Sequence, residues 1–286
     1  MTDKTRNLII RTASGAVLLA VVLAAVLISR WGYAALVALI AVGGVSELLS
    51  MAQKAGISPQ KWTAGALSLL LVATTVLLSE GVTRSPRAIA LGLVLAAVAI
   101  VLIGASFIIE LFRKSDTPIQ NLAVTHLGTV YVALPMALAY LIPMVSDVSA
   151  SGWNPSAALA YIFIVWANDV FAYLTGITFG RHRLCERLSP KKSWEGFFGG
   201  IIGAVATGAL AALYMNADVT LWCVVGAVAA LSGVGGDLAE SMFKRSVGIK
   251  DSGRILPGHG GFLDRFDAML LSAPLVFLIF VIYASL

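Results

Sequence analysis

Nine apolar runs, each close to the length a helix needs to cross a bilayer, follow one another at 13–29, 31–52, 64–79, 88–112, 119–144, 156–178, 195–215, 219–240 and 266–286. A hydrocarbon core of ~30 Å takes about 20 helical residues. Only helices or closed barrels satisfy every backbone polar group there. The expected fold class is therefore an all-α integral membrane protein, a polytopic bundle of about nine transmembrane helices. Composition agrees: 59% of the 286 residues are hydrophobic, 12% are charged, and mean hydropathy is +0.91, outside the range of soluble domains. The run at 64–79 is short, and the run at 119–144 holds Pro135 and Pro143, which remove helix donors and predict a kink or break. The opening MTDKTRNLIIR before an apolar run has the outline of a signal peptide, but no small-residue cleavage site follows, so 13–29 reads as the first span. Cys185 and Cys223 lack metal-ligand spacing and form no disulfide framework.

Lysine and arginine resist translocation, so their distribution over alternate loops sets orientation. With nine spans, one face collects Lys4, Arg6 and Arg11, then Lys54 and Lys61, Arg113 and Lys114, the bases of 181–192, and those of 244–265. Only Arg30, Arg84 and Arg87 fall on the other. The N-terminus and both charged loops should be cytoplasmic, in the inner membrane of a bacterium. The net charge of +5 then describes a basic inner surface suited to anionic headgroups and soluble phosphates. No aromatic platform or groove-reading element accompanies it, so no nucleic-acid partner is expected. No repeat or low-complexity linker divides the chain. It reads as a single membrane domain, 1–286, in which 1–150 is a plain helical bundle and 151–286 carries the polar chemistry and the cytoplasmic loops.

Ionisable groups inside a span mark a function or a partner. In NDVFAYLTGITFG, Asp169, Tyr173, Gly176 and Gly180 share one helical stripe, although Asn168 or a neighbouring helix could equally satisfy the acid. In SPKKSWEGFFGG, Ser189 and Pro190 predict a helix start, with Glu195 in an early turn. Gly196 with Gly200 and Gly199 with Gly203 are small-residue pairs that permit close helix contact. Lys191 and Lys192 suit either phosphate binding or plain membrane anchoring. In GGDLAESMFKR, Asp237, Glu240, Ser241 and Lys244 line one helical face at the cytoplasmic end of the eighth run, just beyond residues deep in that run. Two acids packed together call for a cation, most naturally Mg2+, which takes one or two carboxylates plus water and phosphate oxygens. In KRSVGIKDSGRILPGHGGFLDRFD, a glycine-rich turn precedes Asp264 and Asp267 at the start of the last span. Helix capping accounts for one of these acids but not for the pair. His259 could donate to phosphate or ligate a metal, His126 reads as a satisfied interior residue, and zinc is not expected because His and Cys ligands at usable spacing are missing.

Carboxylates, Mg2+, lysine and arginine together are the apparatus of phosphoryl or nucleotidyl transfer. A phosphate monoester nucleophile carries about −1.5 to −2 charge near pH 7 and needs no general base. Its difficulty is meeting a second polyanion, which clustered cations relieve.

The run from Ser241 to Asp267, SMFKRSVGIKDSGRILPGHGGFLDRFD, resembles the signature of the CDP-diacylglycerol synthase (phosphatidate cytidylyltransferase) family at every fixed position, and SPKKSWEG and NDVFAYLTGITFG are similar to further family segments. The likeness covers roughly 160–270. It implies transfer of CMP from CTP to phosphatidate, giving CDP-diacylglycerol and pyrophosphate in phospholipid biosynthesis, by a homodimer embedded in membrane lipids with a Mg2+ centre and possibly K+ beside it. It further implies Asp237 and Asp264 as first metal ligands, with Asp169 and Asp267 as further acids. Lys191, Lys192, Lys244, Arg245, Lys250 and Arg265 would contact phosphate; Ser241, Asp251 and His259 would share the site. The alternatives are a related Mg2+-dependent transferase acting on another membrane lipid and a cation-coupled transporter. Transport predicts acids with access from both sides and internal repeats; the charges instead cluster at the same ends of late spans.

Overall fold

Helix dominates the chain because a backbone in hydrocarbon must satisfy its own hydrogen bonds. The computed structural model describes residues 3–83, 85–146, 152–253, 255 and 260–286. Its helices are α1 (Asp3–Ile28), α2 (Arg30–Lys54), α3 (Lys61–Thr83), α4 (Pro86–Arg113), α5 (Pro118–Gly128), α6 (Leu134–Val145), α7 (Pro155–Phe179), α8 (Trp194–Met215), α9 (Val219–Ser246) and α10 (Leu263–Ser285). Among the described residues eight segments are long and apolar enough to cross a membrane, with α5 to α6 forming one of them, and the apolar part of α1 is the shorter Thr12–Ile28. The protein is an all-α, multi-pass membrane protein. The third span is not short: α3 runs for 23 residues, because Thr63, Ser79 and Glu80 extend it at ends where polar side chains find partners.

The proline-bearing span continues rather than breaking. A π-helical turn at Thr129–Ala133 sits just ahead of Pro135, and the N–H of Leu134 reaches back to the Thr129 carbonyl. A wide turn absorbs the missing proline donor and makes room for its ring. Pro143 lies inside α6, which ends at Val145.

The chain forms two compact units. The first comprises 1–140 and 246–266. Its apolar core includes Tyr33, Val37, Ile40, Leu49, Val132, Met136 and Leu263, and its interior acids have partners. Glu110, 3% exposed, accepts from Gln60 Nε2 at 2.9 Å, Asn121 Nδ2 at 2.6 Å and Arg113 Nη1 at 2.8 Å. His126 is hydrogen-bonded to Ser106 Oγ at 3.1 Å.

The second unit comprises 141–245 and 267–286. Trp222 packs edge-on against Phe280, and the Tyr161 hydroxyl bonds Ser272 Oγ at 2.7 Å. Gly196, Gly199, Gly200 and Gly203 bring α8 so close to α7 that a Cβ on any of them would collide with Ala172, Thr175, Asn168 or Phe171. Between these helices lies an antiparallel hairpin of β1 (Arg183–Cys185) and β2 (Ser189–Ser193), with Arg183 opposite Ser193 and Cys185 opposite Ser189. Ser189 and Pro190 therefore open a strand, not a helix. Proline is tolerated at the first positions of an edge strand as readily as at a helix start, and the cap is supplied by Ser193, whose Oγ accepts from Gly196 N at 3.1 Å. Glu195 in the first turn of α8 accepts from the N–H groups of Arg181 and His182 at 3.1 and 3.3 Å and meets His182 Nδ1 at 2.6 Å, fixing the hairpin's entry. At the other end of α9, Asp218 Oδ1 accepts from Thr220 N and Leu221 N at 2.8 and 3.1 Å, and Tyr283 donates to its Oδ2 at 3.0 Å.

Candidate active site

Asp237 and Glu240 stand one turn apart on α9, and α10 brings Asp267 to them, with one oxygen from each lying within 4.8 Å of the others. Gly236 and Gly233 make this approach possible. A Cβ on Gly236 would strike the Asp267 carbonyl, and one on Gly233 would meet Ala268. Glu240 is fully buried and ion-pairs with Lys244, one turn further along α9 and 9% exposed. Ser241 Oγ donates to Asp237 Oδ1 at 3.3 Å, and Lys192 Nζ on β2 reaches Asp237 Oδ2 at 2.5 Å. Asp267 accepts from the N–H of Ala268 at 2.8 Å and otherwise faces the other two acids.

Three carboxylates at this spacing repel one another unless a cation or proton intervenes. Two ammonium groups already sit at the edges of the group. The donors are hard carboxylate oxygens, with no imidazole or thiolate among the three. That set suits Mg2+, which accepts a few carboxylates and completes its shell with water and phosphate oxygens.

A cavity of about 610 Å³ opens beside the acids, and Asp237 forms part of its wall. The α7 stripe of Asp169, Tyr173, Gly176 and Gly180 lines it, together with Lys191 and Lys192 from β2 and Arg183 from β1. Asn168 also lines it; its side chain is 2% exposed, and its Oδ1 has no hydrogen-bond partner among the described residues. The cavity lining thus combines the carboxylates of Asp169 and Asp237 with three cations of the hairpin.

Asp264 in the first unit accepts from Gly261 N at 2.8 Å, Ser252 Oγ at 2.9 Å and Ser252 N at 2.9 Å, all on Oδ2, with a longer 3.2 Å contact from Ser252 N to Oδ1. Gly260 is required beside it: its φ is +84°, and a Cβ there would meet the same Oδ2. Arg245, Lys250, Asp251 and Arg265 are exposed. His259, like Arg254, lies outside the described residues.

The sequence profile of the cytidylyltransferase family matches residues 9–283. This chain belongs to that family. A phosphatidate cytidylyltransferase of Synechocystis sp. is 31% identical to it over 293 residues, covering 93% of this chain and 94% of that protein. Phosphatidate cytidylyltransferases of Staphylococcus epidermidis and Staphylococcus aureus are 44% identical over 127 residues and 45% over 121. Those alignments cover 49% and 46% of the relatives, so the chain spans about half the length of the staphylococcal proteins it matches.

Seen as a cytidylyltransferase, the chain holds four residues of interest beyond the sequence-derived set. Glu240 shares the helical face of Asp237, where spacing calls for a cation, although the family resemblance does not name it as a ligand. Arg183 reads in the sequence as one base of a positive loop; a hairpin signal around it would have been needed to turn it toward Lys191 and Lys192. Asn168 carries no signal beyond its place next to Asp169. Glu47 is a lone acid within the apolar run of α2 and, at 5% exposure, the kind of residue that membrane burial alone should flag.

Proposed function

We propose that this cytidylyltransferase-family member transfers CMP from CTP to phosphatidate, yielding CDP-diacylglycerol and pyrophosphate. The observation that carries the reading is the acid group of Asp237, Glu240 and Asp267, of which Asp237 lines a cavity also lined by Lys191, Lys192 and Arg183. In the reaction a phosphate oxygen of the lipid attacks the α-phosphorus of CTP. The new P–O bond forms as the bond from that phosphorus to the bridging oxygen of the β-phosphate breaks, and the displaced electron pair leaves on pyrophosphate. The nucleophile is already an anion, so no side chain need remove a proton.

The residues' work is to bring like charges together and hold them in line. Asp237 and Asp267, with Glu240, would hold Mg2+, and Asp169 adds negative charge to the cavity lining. When bound, Mg2+ neutralises phosphate oxygens and the charge that develops on the leaving group. Lys191, Lys192 and Arg183 gather polyanions at the hairpin. Lys244 keeps the fully buried Glu240 compensated, which places Lys244 in support of the acids; the exposed Arg245, Lys250 and Arg265 are proposed for phosphates of the incoming substrates. Asp264, Asp251, Ser241 and His259 are retained as proposed site residues on the family resemblance, as are a K+ requirement and a homodimer. The inner membrane of a bacterium, with N-terminus and active site cytoplasmic, is proposed from the distribution of lysine and arginine.

The test is incubation of detergent-purified protein with phosphatidate, α-labelled CTP and Mg2+. Label should enter the lipid fraction, pyrophosphate should appear in equal amount, and chelator should stop both. Transfer to a different membrane lipid in preference to phosphatidate would replace the acceptor in this reading; no transfer to any lipid would remove it.

A further inference from the structure

Glu47 is a buried acid in the middle of a candidate membrane span, and its neighbours are hydrogen-bond donors. Its Oε1 accepts from Phe262 N at 3.0 Å, and its Oε2 accepts from Leu263 N at 2.9 Å and contacts Ser252 Oγ at 2.9 Å. Phe262 and Leu263 are where α10 begins. The first N–H groups of a helix have no partner inside it, and the partial positive charge there favours an anion. A side chain from α2 thus does for α10 what a local capping residue usually does.

The rest of α2 fits the same purpose. Gly43 leaves room for the Phe262 ring, and Glu47, one turn on, meets the backbone N–H groups of Phe262 and Leu263. Both sides of the connecting loop close on this carboxylate: a Cβ on either Gly253 or Gly261 would run into it. Ser252 Oγ also contacts Asp264 Oδ2 at 2.9 Å, so one hydroxyl links the α2 acid to the first acid of α10.

We infer that Glu47 is a positioning residue of the transfer site: it fixes the start of α10 and, through Ser252, the carboxylate of Asp264, so that the acids of α10 are presented in register. This rests on the cytidylyltransfer reading above for its catalytic consequence, but not for its structural one. The carboxylate accepts only, and an amide at this position would set an N–H donor against backbone donors.

The experiment compares wild type with Glu47→Gln, Glu47→Asp and Ser252→Ala, purified in detergent. Amide hydrogen exchange over 260–264 is measured together with Mn2+ affinity in the absence of substrates. Loss of a residue that orients metal ligands typically weakens metal binding about 10- to 100-fold. Glu47→Gln should show a loss of that size and faster exchange confined to 260–264, with part of the affinity restored in Glu47→Asp. A merely structural role would lower the folded fraction while leaving Mn2+ affinity per folded molecule unchanged. That result, or wild-type exchange at 260–264 in a folded Glu47→Gln, overturns the inference. If Glu47→Gln does not fold, Ser252→Ala decides: weaker Mn2+ binding supports the linkage and unchanged binding refutes it. A wild type that binds Mn2+ but transfers no CMP would defeat the proposed function and leave these arms readable.

Discussion

Asp264 and Asp267 stand three residues apart on α10, yet they live in opposite electrical surroundings. Asp264, with Glu47 nearby on the same hydroxyl, is surrounded by donors: backbone N–H groups and Ser252 Oγ. Asp267 faces the acceptors Asp237 and Glu240, and accepts from the N–H of Ala268. Asp264 is held by donors of the chain itself. Asp267 is crowded by two other carboxylates, the group proposed above to hold Mg2+. The motif therefore places its two carboxylates in different surroundings, and they should respond differently to neutralisation.

The largest effect expected is on turnover. Asp237→Asn and Asp267→Asn should each reduce transfer of CMP by at least about 10³-fold, the scale at which positioned charge contributes to such reactions, while the protein stays inserted and folded; steady-state assays with labelled CTP check this. Near-normal turnover in either variant would remove that residue from the proposed metal centre. A second experiment sharpens the contrast. Asp264→Asn puts an amide against buried donors and should lower unfolding stability by about 1–3 kcal/mol, visible as a lower midpoint in a detergent thermal melt. An unchanged melting temperature would show that the donor shell around Asp264 does not stabilise the fold.

Steric substitution probes the same divide. Gly236→Ala places a Cβ against the Asp267 carbonyl, so α9 and α10 must separate, at a cost of about 1–3 kcal/mol for an overpacked contact. The Mg2+ needed for half-maximal activity should rise with it; wild-type Mg2+ dependence would mean that the spacing of the acids is not critical. Lys192→Ala should act more mildly and with mixed sign. It removes a cation from Asp237, so Mn2+ should bind somewhat tighter without substrates while KM for CTP rises. Paired measurements of the two constants expose that split, and a parallel change in both would argue against it.

The smallest effect belongs to Asp218, outside the spans. Hydrogen bonds from Leu221 N first, then from the Tyr283 hydroxyl and Thr220, hold its carboxyl below the ordinary value of 3.8. A lowered value means that the ionised form is favoured by folding. This contribution is present in full above that ordinary range and fades as pH falls through the folded-state value. Asp218→Asn should therefore flatten the acid limb of the thermal stability profile slightly; an identical acid limb would contradict the assignment.

Much of the fold was legible because hydropathy in lipid is a strong constraint: among the described residues eight of the nine apolar runs reappear as helices long and apolar enough to span, and the first as the shorter apolar helix Thr12–Ile28. The departures share a local cause. Pro135 forecast a break, but a π-helical turn can absorb a missing donor within one span. Ser189 and Pro190 fit a helix start and a strand start equally well, and only hairpin pairing with 183–185 selects the strand. In the site, Asp237 and Glu240 were readable as one helical face because spacing alone gives it. The arrival of Asp267 at that face was not readable, since only tertiary packing brings a residue of α10 to one of α9. Glu47 was the least visible, because its role depends on contacts more than 200 positions away along the chain.

The most direct test of the acid group's role is a thermal melt of wild type and Asp267→Asn with and without Mg2+. A ion bound only by the folded protein raises stability with its concentration, and removing one of three crowded carboxylates relieves repulsion. The account predicts that wild type gains stability on adding Mg2+, whereas Asp267→Asn melts at least as high as wild type without the ion and gains nothing from it. An Asp267→Asn protein that melts lower than wild type without Mg2+ and still gains the full increment with it would contradict the account.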